Sequence, residues 1–136
     1  MAYRFSVRVY FSDTDAGGIV YHARYLDFAE HARTELLRHL SSGVHSGQRQ
    51  LLEERHIGYV VKSISIEYHT PALLDDLLEV ETTVADAKRF SITFLQRIFR
   101  GETTIATLKV RVACVNLETK RIEPFDPWFA EEANTL

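Results

Sequence analysis

The sequence predicts an α+β domain in which an antiparallel sheet packs against one long helix. Three observations predict it: one stretch with helical spacing near the N-terminus, a series of alternating stretches after it, and gaps of turn length between those stretches. Within residues 23–40, Leu26, Ala29, Ala32 or Arg33, Leu36 and Leu40 recur at three- and four-residue steps, the stripe of a helix buried on one side. Beyond residue 56, four stretches alternate apolar and polar residues, and short polar turns separate them. Strands joined so closely pair antiparallel, and a single helix then covers one face of the sheet.

In chain order, Arg4 to Phe11 alternates as a first strand, with Phe5, Val7, Val9 and Phe11 on the inner face. An acidic loop leads into the helix, whose tail carries Arg33, Glu35, Arg38 and His39 as a solvated face and which Ser41-Ser42-Gly43 stops. Gln48 to Arg55 fits either a short helix anchored by Leu51 and Leu52 or a loop folded over the domain. Ile57 to His69 is a strand with Val60, Lys62, Ile64, Ile66 and Tyr68 on one face and Tyr59, Val61, Ser63, Ser65 and Glu67 on the other; Thr70-Pro71-Ala72 ends it. Three more strands follow. Leu77 to Ala85 points Leu78, Val80, Thr82 and Val84 inward, and Arg89 to Arg100 points Phe90, Ile92, Phe94, Gln96 and Ile98. Thr103 to Asn116 aligns Leu108, Val110, Val112 and Cys114. The turns are Asp75-Asp76, Asp86-Ala87-Lys88, Arg100-Gly101-Glu102 and Glu118-Thr119-Lys120. Asp126 then reads as an N-cap before Pro127 at the first position of a short helix through Trp128, Phe129 and Ala133.

All 136 residues fit one domain, large enough for a core without disulfides or metals. Hydrophobic content of 46% and charged content of 26% are ordinary for a globular protein, and a net charge of −3 gives no case for nucleic acid or an anionic membrane surface as partner. The N-terminus lacks the apolar run of a signal peptide, and no stretch nears the roughly 18 apolar residues of a membrane span. A cytoplasmic protein without membrane insertion is therefore expected. Cys114, the single cysteine, leaves no disulfide or cysteine-based metal site and reads as core. His31, His39, His45, His56 and His69 have no metal-ligand spacing, the serines sit in no G-x-S-x-G elbow, and no phosphate-cradling glycine motif occurs. Neither metal nor cofactor is expected.

Chemistry concentrates in the acidic loop, Asp13-Thr14-Asp15-Ala16-Gly17-Gly18, just before the helix. Glycine lets a ligand approach the backbone closely, and a helix N-terminus offers unpaired N–H groups with a partial positive charge. A carboxylate beside such donors suits a carbonyl substrate: the acid attacks or activates water, and the N–H groups hold the oxyanion. Taken alone, Asp15 reads more simply as a cap or turn residue. Asp13 could raise its neighbour's pKa, but is better read as shaping the loop through hydrogen bonds.

The run Asp13-x-Asp15-x-x-Gly18-Ile19-Val20-Tyr21-His22-x-x-Tyr25 before a long helix resembles the hotdog-fold acyl-CoA thioesterases of the 4-hydroxybenzoyl-CoA thioesterase type, in particular the bacterial branch associated with the Tol-Pal system. The resemblance covers nearly the whole chain and implies a sheet wrapped around one central helix, with dimers that often go on to tetramers. It implies that Asp15 is the catalytic carboxylate, as nucleophile or general base, and that the backbone N–H at His22 faces the thioester oxygen. The His22 ring could add a hydrogen bond or carry a proton. Gly17 and Gly18 would let the thioester approach, and Tyr25 with Phe28 could line the acyl pocket or simply belong to the core. Glu30 falls where the 4-hydroxybenzoyl enzyme places an Asp on the ring hydroxyl, so the resemblance does not carry that substrate over; acetate-like, short aliphatic and aromatic acyl groups all stay open, and the Tol-Pal branch favours short or medium aliphatic chains. Lys88 and Arg89 stand where the family sets cations against the phosphates of coenzyme A, although a solvated basic turn explains them as well. Two rival readings are a hotdog dehydratase or hydratase, and a non-catalytic scaffold that holds acyl carrier protein or an envelope-biogenesis partner.

Overall fold

A computed structural model describes residues 2–40 and 48–134. Its elements are β1 (Tyr3–Arg8), a 3-10 turn (Phe11–Asp13), α1 (Arg24–Leu40), α2 (Gln48–Arg55), β2 (Ile57–Tyr68), β3 (Leu77–Ala87), β4 (Ser91–Arg100), β5 (Thr103–Asn116), β6 (Arg121–Glu123) and α3 (Pro127–Ala133). All strand pairs are antiparallel in the order β1-β3-β4-β5-β2, with the short β6 also on β5. This is the α+β architecture that the sequence pattern predicts. The expected helix stop at Ser41-Ser42-Gly43 lies outside the described residues.

The core forms where α1 lies on the sheet. Phe28, Ala29, Ala32, Leu36 and Leu40 pack in one cluster with Leu78, Val80, Ile92, Phe94, Ile98, Leu108 and Val110. Burying each large side chain stabilises by about 1.5–3 kcal/mol, and this burial, rather than helix propensity, holds the 17 residues of α1 in place. Cys114 lies under α2 beside Leu51 and Ile57, where burial pushes its thiol up to about 11.

Three bulges bend the sheet, between Val61 and Ser63, Val84 and Asp86, and Ile98 and Phe99. The first corrects the face assignment of β2. Val61 pairs with Val112 and Ser63 with Arg111, so Lys62 is the extra residue and the alternation changes phase there. Tyr59 and Val61 face inward before the bulge; Ile64, Ile66 and Tyr68 share the face of Val110, Leu108 and Ala106 after it.

Other expectations shift for local reasons. β1 ends at Arg8, because the Tyr10 N–H turns to Asp13 Oδ2 at 2.8 Å, and Phe11 is left 80% exposed rather than facing inward. β4 starts at Ser91 after a tight turn in which the Lys88 N–H reaches Ser91 O, so Phe90 is also exposed. Gln48–Arg55 is a helix, and Asp126 stands at the N-cap position of α3 but gives its carboxylate to Arg55 instead of a backbone N–H. β6 was not expected. The largest departure is Arg33, placed on a solvated face by its sequence context but buried at 8% exposure. Its Nη1 donates to Gln96 Oε1 at 3.0 Å, and the Gln96 amide donates in turn to Ala29 O and Thr82 Oγ1. A buried polar chain therefore ties helix to sheet.

Candidate active site

The loop between the 3-10 turn and α1 is built around Asp13, not Asp15. Asp13 is buried; its Oδ1 accepts from Arg24 Nε at 2.9 Å and Nη2 at 2.7 Å, its Oδ2 from the Tyr10 N–H, and its carbonyl from the Tyr21 N–H. Both ends of the loop are thus fastened to one carboxylate, as the loop-shaping reading of Asp13 anticipates. Arg24, at the first position of α1, also pairs with Asp27. Its part was missed; an arginine eleven residues beyond an acid gives no local pattern to read.

The clamp leaves Asp15 outside. The Asp15 N–H donates to Ile19 O, and its carbonyl accepts from the Gly18 N–H, closing a tight turn with Gly18 at φ 80°. The carboxylate is exposed, and Oδ1 accepts from the Gly17 N–H at 2.8 Å. A methyl at Gly17 would sit 3.1 Å from that same oxygen, so Gly17 sets the space the carboxylate occupies. Gly18→Ala is expected to cost about 1 kcal/mol, because L side chains strain the left-handed region; Gly17→Ala, at an ordinary φ, should cost less. Chemical denaturation of both variants checks this, and equal losses would contradict it.

Asp15 borders an open concavity of about 400 Å³ with Ile19, His22, Tyr25, Tyr68 and Pro71 among its walls. His22 is exposed, its ring 4.5 Å from that of Tyr21 and edge-on to Tyr68. Tyr68 O–H donates to the His22 carbonyl at 3.0 Å and fixes the backbone that turns into α1. Among the described residues, the backbone N–H of His22 donates to no protein acceptor. Tyr25 is buried at the floor; its hydroxyl accepts from the Ala72 N–H at 3.1 Å, and burial raises its pKa. The concavity thus joins an ionisable carboxylate, a free backbone donor at a helix entry and apolar walls, the parts an acyl-transfer site needs.

The other residues singled out in the sequence lie elsewhere in the chain. Glu30, two turns along α1, accepts from Thr34 Oγ1 and borders a different cavity. Lys88, 3.5 Å from Asp86, lines a groove on the outer face of the sheet with Ser63, Ser65, Lys109 and Arg111. Arg89 lies over the Phe90 ring and borders a separate hollow beside Phe125. Lys109 and Arg111 were missed, although their outward positions between Leu108, Val110 and Val112 follow from the β5 alternation. Among the described residues, no cluster of three His, Cys, Asp or Glu could hold a metal, and no helix is long and apolar enough to cross a membrane.

A curled antiparallel sheet over one long helix is the hotdog fold. A sequence model of the thioesterase-like superfamily matches residues 9–132, and the chain belongs to that family. It is 51% identical over 115 residues to the acyl-CoA thioesterase YbgC of Haemophilus influenzae, covering 85% of this chain and 82% of that one. It is 46% identical over 115 residues to the acyl-CoA thioester hydrolase YbgC of Escherichia coli, covering 84% and 82%. Among solved structures, a probable thioesterase from Bartonella henselae matches with a TM-score of 0.77 at 35% identity, over 93% of this chain and 98% of that one. The 1,4-dihydroxy-2-naphthoyl-CoA thioesterase Slr0204 from Synechocystis, at a TM-score of 0.88 and 20% identity over 100% and 98%, shares the fold.

Proposed function

We propose that this protein hydrolyses an acyl-CoA to the free acid and coenzyme A, with Asp15 as the reacting carboxylate. The observation that supports it is that Asp15 borders one concavity with His22, whose N–H is unengaged among the described residues. The thioester carbonyl carbon sits against Asp15 and its oxygen against the N–H of His22. Either Asp15 takes a proton from water as the water oxygen attacks, or Asp15 attacks directly and water cleaves the resulting anhydride. In both routes negative charge moves onto the carbonyl oxygen, where the His22 donor stabilises it, and the C–S bond then breaks to release the thiol. The His22 ring stands beside the leaving group as a proton carrier, and Gly17, Gly18 and Tyr25 shape the acyl seat.

Short or medium aliphatic chains are the proposed acyl groups. Glu30 would contribute to the acyl end only across an interface with a second copy. A homodimer is proposed because β2 is an edge strand with Val61, Ile64 and Tyr68 between 40% and 49% exposed, the kind of edge that proteins cover. A tetramer and delivery by acyl carrier protein are further proposals from the same resemblance, in a cytoplasmic setting.

The test is thiol release across acyl-CoAs of graded chain length. Release that peaks at short or medium chains supports the proposal; no release from any of them overturns it. Lys88 and Arg89 are proposed to meet the coenzyme A phosphates. Lys88→Ala with Arg89→Ala should raise KM about tenfold while leaving kcat within about twofold, as expected for contacts remote from the reacting bond. An unchanged KM would remove that role.

A further inference from the structure

The N–H of His22 is held in place from two sides. Tyr21 C=O and His22 N–H belong to one peptide group, and its carbonyl accepts from the Arg24 N–H at 2.8 Å as the chain enters α1. His22 C=O belongs to the next peptide group. Among the described residues no backbone N–H donates to that carbonyl. Its donor is the Tyr68 hydroxyl at 3.0 Å, 46 residues away at the last position of β2. The phenol is placed in turn by two rings. Tyr25, buried at the floor of the concavity, lies 5.7 Å from it, and the His22 imidazole meets it edge-on at 6.4 Å. A hydroxyl carries one hydrogen, and Tyr68 spends it on His22 O, so none is left for a thioester oxygen. Tyr68 therefore acts on the frame of the donor, although it borders the same concavity as Asp15 and His22. Half-exposed on an edge strand, its hydrogen bond contributes little to folding.

We infer that Tyr68 is a positioning residue for thioester hydrolysis: from the end of β2 it holds the His22 carbonyl and so aims the His22 N–H at the oxyanion that forms opposite Asp15. This role rests on the hydrolase proposal above and adds to it a residue from outside the acidic loop and α1. A donor stabilises a developing oxyanion fully only when it is aimed in advance, because one that must turn during the reaction gives back part of the gain. With Arg24 N–H on one peptide and Tyr68 O–H on the next, the backbone on both sides of His22 is fixed. Releasing the second anchor lets the chain pivot at His22, and the direction of its N–H pivots with it. Outright loss of an oxyanion donor costs about 10²–10³ in kcat. Here the donor stays and only its aim loosens, so a smaller loss, about tenfold, is expected. Binding of the coenzyme A portion and the acyl chain does not depend on that aim.

The test is steady-state thiol release by the full chain, on the acyl-CoA that the parent turns over best. Tyr68→Phe keeps the ring and removes the hydroxyl. Its kcat should fall about tenfold, with KM within about twofold of the parent and the unfolding midpoint within about 3 °C. An S-alkyl-CoA thioether, which has no carbonyl oxygen, should inhibit the parent and Tyr68→Phe equally. A merely structural Tyr68 would lower the midpoint and leave the kcat of the folded protein at the parental value, and a direct substrate contact would weaken inhibition by the thioether. Tyr68→Leu, which removes ring and hydroxyl together, gives the second variant if Tyr68→Phe does not fold, and should lower kcat at least as far. Parental kcat in a folded variant, a loss confined to KM, or weakened thioether inhibition overturns the positioning role. Asp15→Asn, measured in parallel, separates this role from the hydrolase proposal. Turnover lost in Asp15→Asn but parental in Tyr68→Phe removes Tyr68 alone. No thiol release by the parent from any acyl-CoA removes both.

Discussion

Asp15→Asn should lower kcat by about three orders of magnitude while leaving the unfolding midpoint within about 2 °C of the parent. Asparagine has nearly the shape of aspartate, and its Oδ1 can still accept from the Gly17 N–H, the one hydrogen bond the Asp15 side chain makes among the described residues. The turn through Gly18 depends on the Asp15 backbone, which the substitution leaves in place. What disappears is the negative charge and basicity that both routes need. A thousandfold loss corresponds to about 4 kcal/mol of transition-state stabilisation, far more than one exposed hydrogen bond contributes. Thiol-release kinetics and a thermal melt on the same preparation decide the matter. A folded variant with near-parental turnover would end the assignment of Asp15.

Asp13→Ala is expected to have the opposite profile, with its first effect on stability. The substitution leaves Arg24 without its buried partner and the Tyr10 N–H without its acceptor. Removing one side of a fully buried ion pair costs about 3–5 kcal/mol, and the Arg24 side chain, 37% exposed, can recover part of its hydration. A loss of about 3 kcal/mol, or roughly 10 °C in midpoint, is therefore expected. Asp13→Asn keeps an acceptor for both donors and should lose about half as much. Denaturant unfolding measures both. Equal stability of Asp13→Ala and the parent would mean that the clamp does not hold the loop.

These two acids, two residues apart, show how far the sequence could be read. The loop's position and its turn at Asp15 follow from local spacing, because the hydrogen bonds that shape residues 13–22 mostly join near neighbours. The inward faces of β3, β4 and β5 were legible for a similar reason: each lies between two partners and buries one face, so its period of two is largely unbroken. Arg33 was not legible, since its fate depends on Gln96, 63 residues away on another element. A stripe reading could only leave Ala32 and Arg33 as alternatives. The groove beside Lys88 escaped notice because Lys109 and Arg111 reach it from a different strand.

The bulge at Lys62 divides the labour along a single ribbon. Tyr59 and Val61 furnish the chamber of Arg33, while Tyr68, beyond the extra residue, furnishes the hollow of Asp15. A straight pleat that kept Lys62 in register would turn one of these two linings outward, whereas the bulge absorbs the extra residue and keeps Val61 opposite Val112 and Ile64 opposite Val110. One unpaired residue thus lets a single strand line two hollows, and loss of that residue would straighten the ribbon without moving either lining to solvent.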